Sequence, residues 1–322
     1  MSTATGRRTA MVSDVLRKQP AAPVFIAVMV VSWLTLPNFG TADNMRNLAL
    51  QSSFLAVIAL GMTFVIISGG IDLSVGSVYA LGGVLAAYGS RWGFAAALLL
   101  PLAVCGLIGL INGILVARTG MAPFIVTLAS LLFARGLLLA LTDEGATTYR
   151  IASGQPFLEI GRGTLLGIGY PVYLTLVLFA AGGVLLRRTA FGLALFATGG
   201  RESSAILMGL PVARTKITVY TLSGLLAGFS GAMTAAYLES GVTVIGVGTE
   251  LDAIAAVVIG GTLLTGGVGT VLGTVFGVLL RSVIQNIINQ IGGLDSNYQS
   301  VVGGAFLLAV VVLQRLLTRT RR

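Results

Sequence analysis

The chain has 322 residues, of which 56% are hydrophobic and only 10% charged, and its formal net charge is +9. Soluble domains are about a quarter charged, so this composition excludes a soluble globular fold; lipid is the bulk solvent of the chain. It has no histidine and a single cysteine, Cys105, which excludes a catalytic histidine, a histidine-ligated metal and an intrachain disulfide.

Arg7, Arg8, Arg17 and Lys18 precede the first apolar run. This start resembles a signal peptide, but it also suits an uncleaved first span, which is the expectation adopted. Apolar runs near 20 residues read as spanning helices. They fall near 21–37, 48–67, 74–90, 94–117, 123–141, 168–186, 216–238, 251–265, 269–291 and 298–315. The expected fold is all-α and polytopic, with about 8–10 transmembrane helices, some short or broken. Residues 1–20 are expected to form a cytoplasmic segment, 21–317 one transmembrane domain and 318–322 a basic cytoplasmic tail.

Charge orients the spans. With an even count and the N-terminus inside, Arg118, Arg187, Arg188, Arg201, Arg214 and Lys216 face the cytoplasm with the basic C-terminus. Asp143, Glu144, Glu159, Glu239, Glu250 and Asp295 then lie outside, with Arg150 and Arg162 in the same mixed loop. Both termini are therefore expected in the cytoplasm. In a membrane chain, clustered arginines read as cytoplasmic anchoring rather than nucleic-acid binding.

The stretch "VIISGGIDLSVGSVYAL", Val65 to Leu81, sets Asp72 among apolar residues. A charge at a helix centre costs about 2.5–3.5 kcal/mol on insertion scales, so it faces the bundle interior or water. Gly69 and Gly70 permit a helix break, and Asp72 or Ser74 can cap the helix that follows. Asp72 and Ser74 are read either as part of a solute route or as a structural cap, the cap being preferred.

Glycines number 44. Gly109 with Gly113, Gly224 with Gly228, and Gly269, Gly273 and Gly277 recur at intervals of four, the spacing that lets helix backbones approach. Val258-Ile259 with Gly260-Gly261 loosely echoes Val65-Ile66 with Gly69-Gly70, and internal repeats commonly flank transport routes. Late in the chain, Arg281, Gln285 and Asn289 share a helical face, with Asn286 beside them. This polar stripe suits a lining for a polyhydroxylated solute, interhelical hydrogen bonding, or a location near the outer surface where polarity costs little.

The largest cytoplasmic loop, about 187–215, holds "GGRESSAILMGLP". Arg201 and Glu202 open a short helix, Leu207 and Met208 are apolar, and Gly209 followed by Pro211 ends it. Such a helix lies in the membrane interface or docks on a partner. No phosphate-cradling loop ending in lysine occurs, so any ATP hydrolysis would have to come from another chain.

"GMTFVIISGGIDLSVGS", "APFIVTLA" with "ARGL", "FATGGRESSAILMGLPV" and "ELDAIAAVVIGGTLLTGGVGTVLGT" occur here in sequence. From about Ala49 to Gln314 the chain resembles permease subunits of ribose-type (ribose, galactose, xylose class) sugar ABC importers. In "GGTLLTGGVGTVLGTVFGVLL" and "LQRLL" it looks most like a galactofuranose importer permease. The resemblance implies a non-enzymatic subunit of the bacterial inner membrane. Its implied partners are a cytoplasmic ABC ATPase that uses ATP and magnesium, a periplasmic sugar-binding protein and a second permease, identical or homologous. Arg201, Glu202, Leu207, Met208 and Gly209 match the segment that couples to the ATPase. No cofactor is expected in this chain. The alternative is a secondary sugar transporter driven by an ion gradient, which would need an intramembrane carboxylate relay.

Overall fold

The computed structural model describes residues 21–291 together with 301, 304 and 305. The expected last span, 298–315, falls largely outside the described residues, as do the segments 1–20 and 318–322.

Among the described residues, strand is confined to one hairpin, Thr164–Leu165 with Ile168–Gly169. The helices are α1 (Ala21–Thr35), α2 (Ala42–Ile67), α3 (Val75–Gly89), α4 (Phe94–Arg118), α5 (Pro123–Leu141), α6 (Glu159–Arg162), α7 (Tyr170–Arg188), α8 (Ala190–Gly200), α9 (Glu202–Leu207), α10 (Val212–Leu238), α11 (Thr249–Ile259) and α12 (Val271–Ile291). Six of them, α2, α4, α5, α7, α10 and α12, are long and apolar enough to cross a membrane.

The departures from the expected spans have local causes. The run 251–265 is not one helix: α11 stops at Ile259, because Gly261 takes φ +92° and the chain turns before α12. Gly269 accordingly precedes α12 instead of lying within it. The loop 187–215 is largely helical: Thr189 caps α8 by accepting a hydrogen bond from the amide of Gly192, and α9 follows at once.

α3 occupies the centre. It is short and buried nearly all round, as expected of a helix apolar on every face. It packs on α4, α5 and α10. The α4–α10 contact is made through glycine. A Cβ on Gly109 would clash with the carbonyl of Tyr220, and one on Gly113 would lie 2.7 Å from Ile217 Cα. On the facing helix, a Cβ on Gly224 or Gly228 would meet the backbone or side chain of Cys105. Gly273 and Gly277 perform the same service between α12 and α11, against Gly260 and Ala256. Lipid supplies no hydrophobic drive between helices, so close backbone approach is the source of cohesion. A buried hydroxyl pair at 2.6 Å, Thr63 with Thr274, ties α2 to α12.

Overpacking a tight helix contact costs about 1–3 kcal/mol. Gly109→Val should therefore abolish the monodisperse peak of detergent-solubilised protein in size-exclusion chromatography. Gly136→Ala, at a position where an added Cβ meets nothing within 4 Å, should elute as wild type.

Candidate functional site

The helix break between α2 and α3 is satisfied by the protein itself. α2 ends with the amide of Gly69 donating to Ile66 O (2.9 Å) and that of Gly70 to Val65 O (3.1 Å). Gly69 sits at φ +82°, a left-handed position that closes this type of C-terminal cap. α11 ends identically, with Gly261 donating to Val258 O and Thr262 to Val257 O. The echo noted in the sequence is thus structural, but in a different register: Gly69 corresponds to Gly261.

Asp72 follows the break and is 1% exposed. Its Oδ1 accepts from the amide (3.0 Å) and hydroxyl (2.6 Å) of Ser74, and its Oδ2 accepts from Ser223 Oγ on α10 (2.8 Å). Asn112 on α4 donates to Ser74 Oγ (3.2 Å) and accepts from Ser130 on α5. Ile71 O accepts from Tyr220 and Thr127. One carboxylate therefore terminates a network that joins the break to α4, α5 and α10. Asp72 holds the turn before α3 through Ser74, while the cap position of α3, Ser74, makes no side-chain capping bond of its own.

A separate polar cavity of about 340 Å³ lies between α2, α11 and α12. Arg281 and Asp252 form a bidentate pair on its wall, Nε to Oδ1 at 2.9 Å and Nη2 to Oδ2 at 2.6 Å, and Arg281 also donates to Gln285. Gln51, Thr249, Ser282 and Asn286 complete the polar lining. Asn286 exchanges hydrogen bonds with Asn44 and accepts from Gln290. The volume falls in the roughly 300–1,000 Å³ range of small-molecule sites.

At the other end of α2, three glycine pairs meet. The amide of Gly267 donates to Ile67 O (2.9 Å). A Cβ on Gly199 would overlap that same carbonyl, and one on Gly266 would lie 2.8 Å from Gly69 Cα. A Cβ on Gly267 would lie 2.6 Å from Gly200 Cα. The junction borders a cavity of about 220 Å³ shared with Arg201, Glu202, Lys216 and Tyr220. Lys216 Nζ bonds both carboxylate oxygens of Glu202 at 2.7 Å. α9 follows, and Gly209, at φ +74°, comes just after its end. Leu207 and Met208 are 89% and 66% exposed at its tip.

A family model described as "Branched-chain amino acid transport system / permease component" matches residues 44–311. The chain belongs to this permease family. It is 42% identical over 298 residues to the ribose import permease protein of Bacillus subtilis, covering 92% of each chain. It is 36% identical over 325 residues to the L-arabinose ABC transporter permease protein of Azospirillum brasilense, covering 99% of this chain and 94% of that one. An inner membrane ABC transporter permease protein of Escherichia coli is 41% identical over 307 residues, covering 92% of each.

Within this permease fold, the candidate residues fall into separate places. Arg281, Gln285 and Asn286 border the larger cavity, whereas Asn289, further along α12, does not line it. Asp72 and Ser74 line neither that cavity nor the one beside the glycine junction. Sequence reasoning passed over Asn112, Ser223 and Gln51 as site residues. It also did not pair Arg281 with Asp252, 29 positions away. The available signal was Arg281 itself, a cation within an apolar run that requires a counter-charge. Arg135 was missed as well: from α5 it donates to the carbonyls of Thr243 (2.8 Å) and Ile245 (3.3 Å) and so holds the loop before α11.

Asp72→Asn keeps an acceptor for Ser74 and offers its amide to Ser223 Oγ. It should retain folded protein and most transport. Asp72→Leu strands buried donors at about 1–3 kcal/mol each. It should lower the melting temperature in detergent and the yield of folded protein.

Proposed function

We propose that this chain is the membrane-spanning subunit of an ATP-driven importer that carries a monosaccharide inward across the bacterial inner membrane. The observation that carries the reading is the polar cavity between α2, α11 and α12. Its amides, hydroxyls and Arg281–Asp252 pair offer donors and acceptors suited to a polyol, in a domain otherwise built for lipid. Relatives named for ribose, L-arabinose and fructose support a pentose or hexose as cargo. Galactofuranose is one sugar within that class, and the choice belongs to the binding protein that delivers it.

In this reading Arg281, Gln285 and Asn286, with Gln51 and Asp252, face the passing sugar. Asp72 and Ser74 keep the broken helix in shape beside the route. A cytoplasmic ATPase receives α9, with Leu207 and Met208 as anchors and Glu202 fixed by Lys216 so that the short helix holds its angle. A second permease subunit completes the route and a periplasmic binding protein loads it. Both termini lie in the cytoplasm. An ion-gradient carrier fits less well, because both oxygens of Asp72 are already engaged by buried protein donors.

Two measurements test this. Leu207→Asp with Met208→Asp should leave permease abundance near wild type, release the ATPase on purification and abolish uptake. A buried interface anchor is worth about 2 kcal/mol or more. ATPase retention with normal uptake would overturn the coupling assignment. Arg281→Ala should reduce uptake of the cognate sugar and also the amount of folded protein. Arg281→Ala combined with Asp252→Ala should recover folded protein without recovering uptake, because a lone partner leaves an uncompensated charge while removal of both does not. Uptake surviving in the double variant would exclude the pair from the route.

A further inference from the structure

A second large cavity, of about 620 Å³, runs between α7 and α12 on the outer surface of the bundle. Its apolar lining includes Leu176, Phe179, Val184, Leu272 and Val275, with the small residues Ala180 and Gly183 among them. Leu176 and Val184 are 61% and 58% exposed, so the groove opens to the surroundings of the helices and not into the protein. A Cβ added at Gly183 meets nothing within 4 Å. Unlike Gly109 or Gly224, this glycine is not filled by a neighbouring backbone.

The groove has one polar end. Arg187 and Arg188 line it there, in the last turn of α7. Both are exposed, and among the described residues neither is within ion-pair distance of an acid. The site thus joins an apolar trough to two arginines, without an acid partner among the described residues, where α7 ends. Basic pockets between transmembrane helices are suited to phospholipid head groups, and anionic lipids gain further from each nearby arginine. A phospholipid matches both parts of the site, its phosphate the cations and its acyl chain the apolar trough, whereas a free inorganic anion matches only the cations.

We propose that the α7–α12 groove binds an anionic phospholipid, with an acyl chain along Leu176–Val184 and the phosphate on Arg187 and Arg188. The chain's own segment 298–315 is the rival occupant. It runs into Arg315, Arg319, Arg321 and Arg322. Seating that basic end beside Arg187 would set like charges together, whereas a phosphate supplies the opposite sign.

The test uses full-length permease purified in detergent, with added phosphatidylglycerol or phosphatidylethanolamine, and reads bound lipid by native mass spectrometry. Wild type should retain phosphatidylglycerol in preference to phosphatidylethanolamine. Arg187→Ser with Arg188→Ser should lower phosphatidylglycerol retention roughly tenfold or more. Gly183→Leu, which fills the open space beside this glycine, should lower retention of the same lipid with an unchanged melting temperature. Equal retention of the two lipids by wild type would overturn the proposal, as would retention unchanged by the double arginine variant. So would a disulfide formed in membranes between Val184→Cys and a cysteine placed within 298–315, or between two copies of Val184→Cys. The native Cys105 is buried and leaves the surface free for this experiment.

Discussion

A backbone amide or carbonyl inside a bilayer has no water to bond, so every departure from continuous helix must be satisfied by the protein. The fold is organised around meeting that demand where α2 gives way to α3. α4, α5 and α10 each send a side chain to the break, and Asp72 accepts from Ser74 and Ser223. The α4–α10 glycine contacts follow from the same demand. Only helices drawn to backbone contact bring Asn112 and Ser223 close enough to reach a seven-residue irregular segment at the core.

The second break, between α11 and α12, meets the demand differently. It repeats the cap at its start, but it then runs through glycines with left-handed φ and bonds its Gly267 amide to the end of α2. The two irregular segments complete one another, which gives the helix ends they terminate a common boundary. Polar groups segregate accordingly. Those around Asp72 saturate one another internally, and those around Arg281 border open volume.

Much of this was legible in the sequence. Of the nine apolar runs within the described residues, eight coincide with helices and the ninth, 251–265, is helical only to Ile259, because apolar length is a direct readout of the solvent. The break at Gly69–Gly70 and the short helix ending at Gly209 were legible because glycine and its neighbours carry the cap locally. What was not legible depends on distance along the chain. The pairing of Asp252 with Arg281 and of Asp72 with Ser223 joins residues 29 and 151 positions apart. Helix α8 was hidden because its composition, apolar with three glycines, matches that of loops in this chain. The end of α11 was misplaced because the apolar run continues past Ile259, while Gly261 turns the backbone regardless of hydropathy.

The glycine junction has a mechanical consequence. Side chains act as springs: they rotate, and a contact between them absorbs small displacements before the backbones respond. Where Gly69, Gly199, Gly266 and Gly267 meet, main chain touches main chain and there is no spring. The joint is stiff. α9 begins two residues after Gly200, so a tilt imposed at its exposed tip would reach the ends of α2 and the α11–α12 turn with little lost to slack. Leu207 stands at the far end of a short arm, and the junction is its fulcrum.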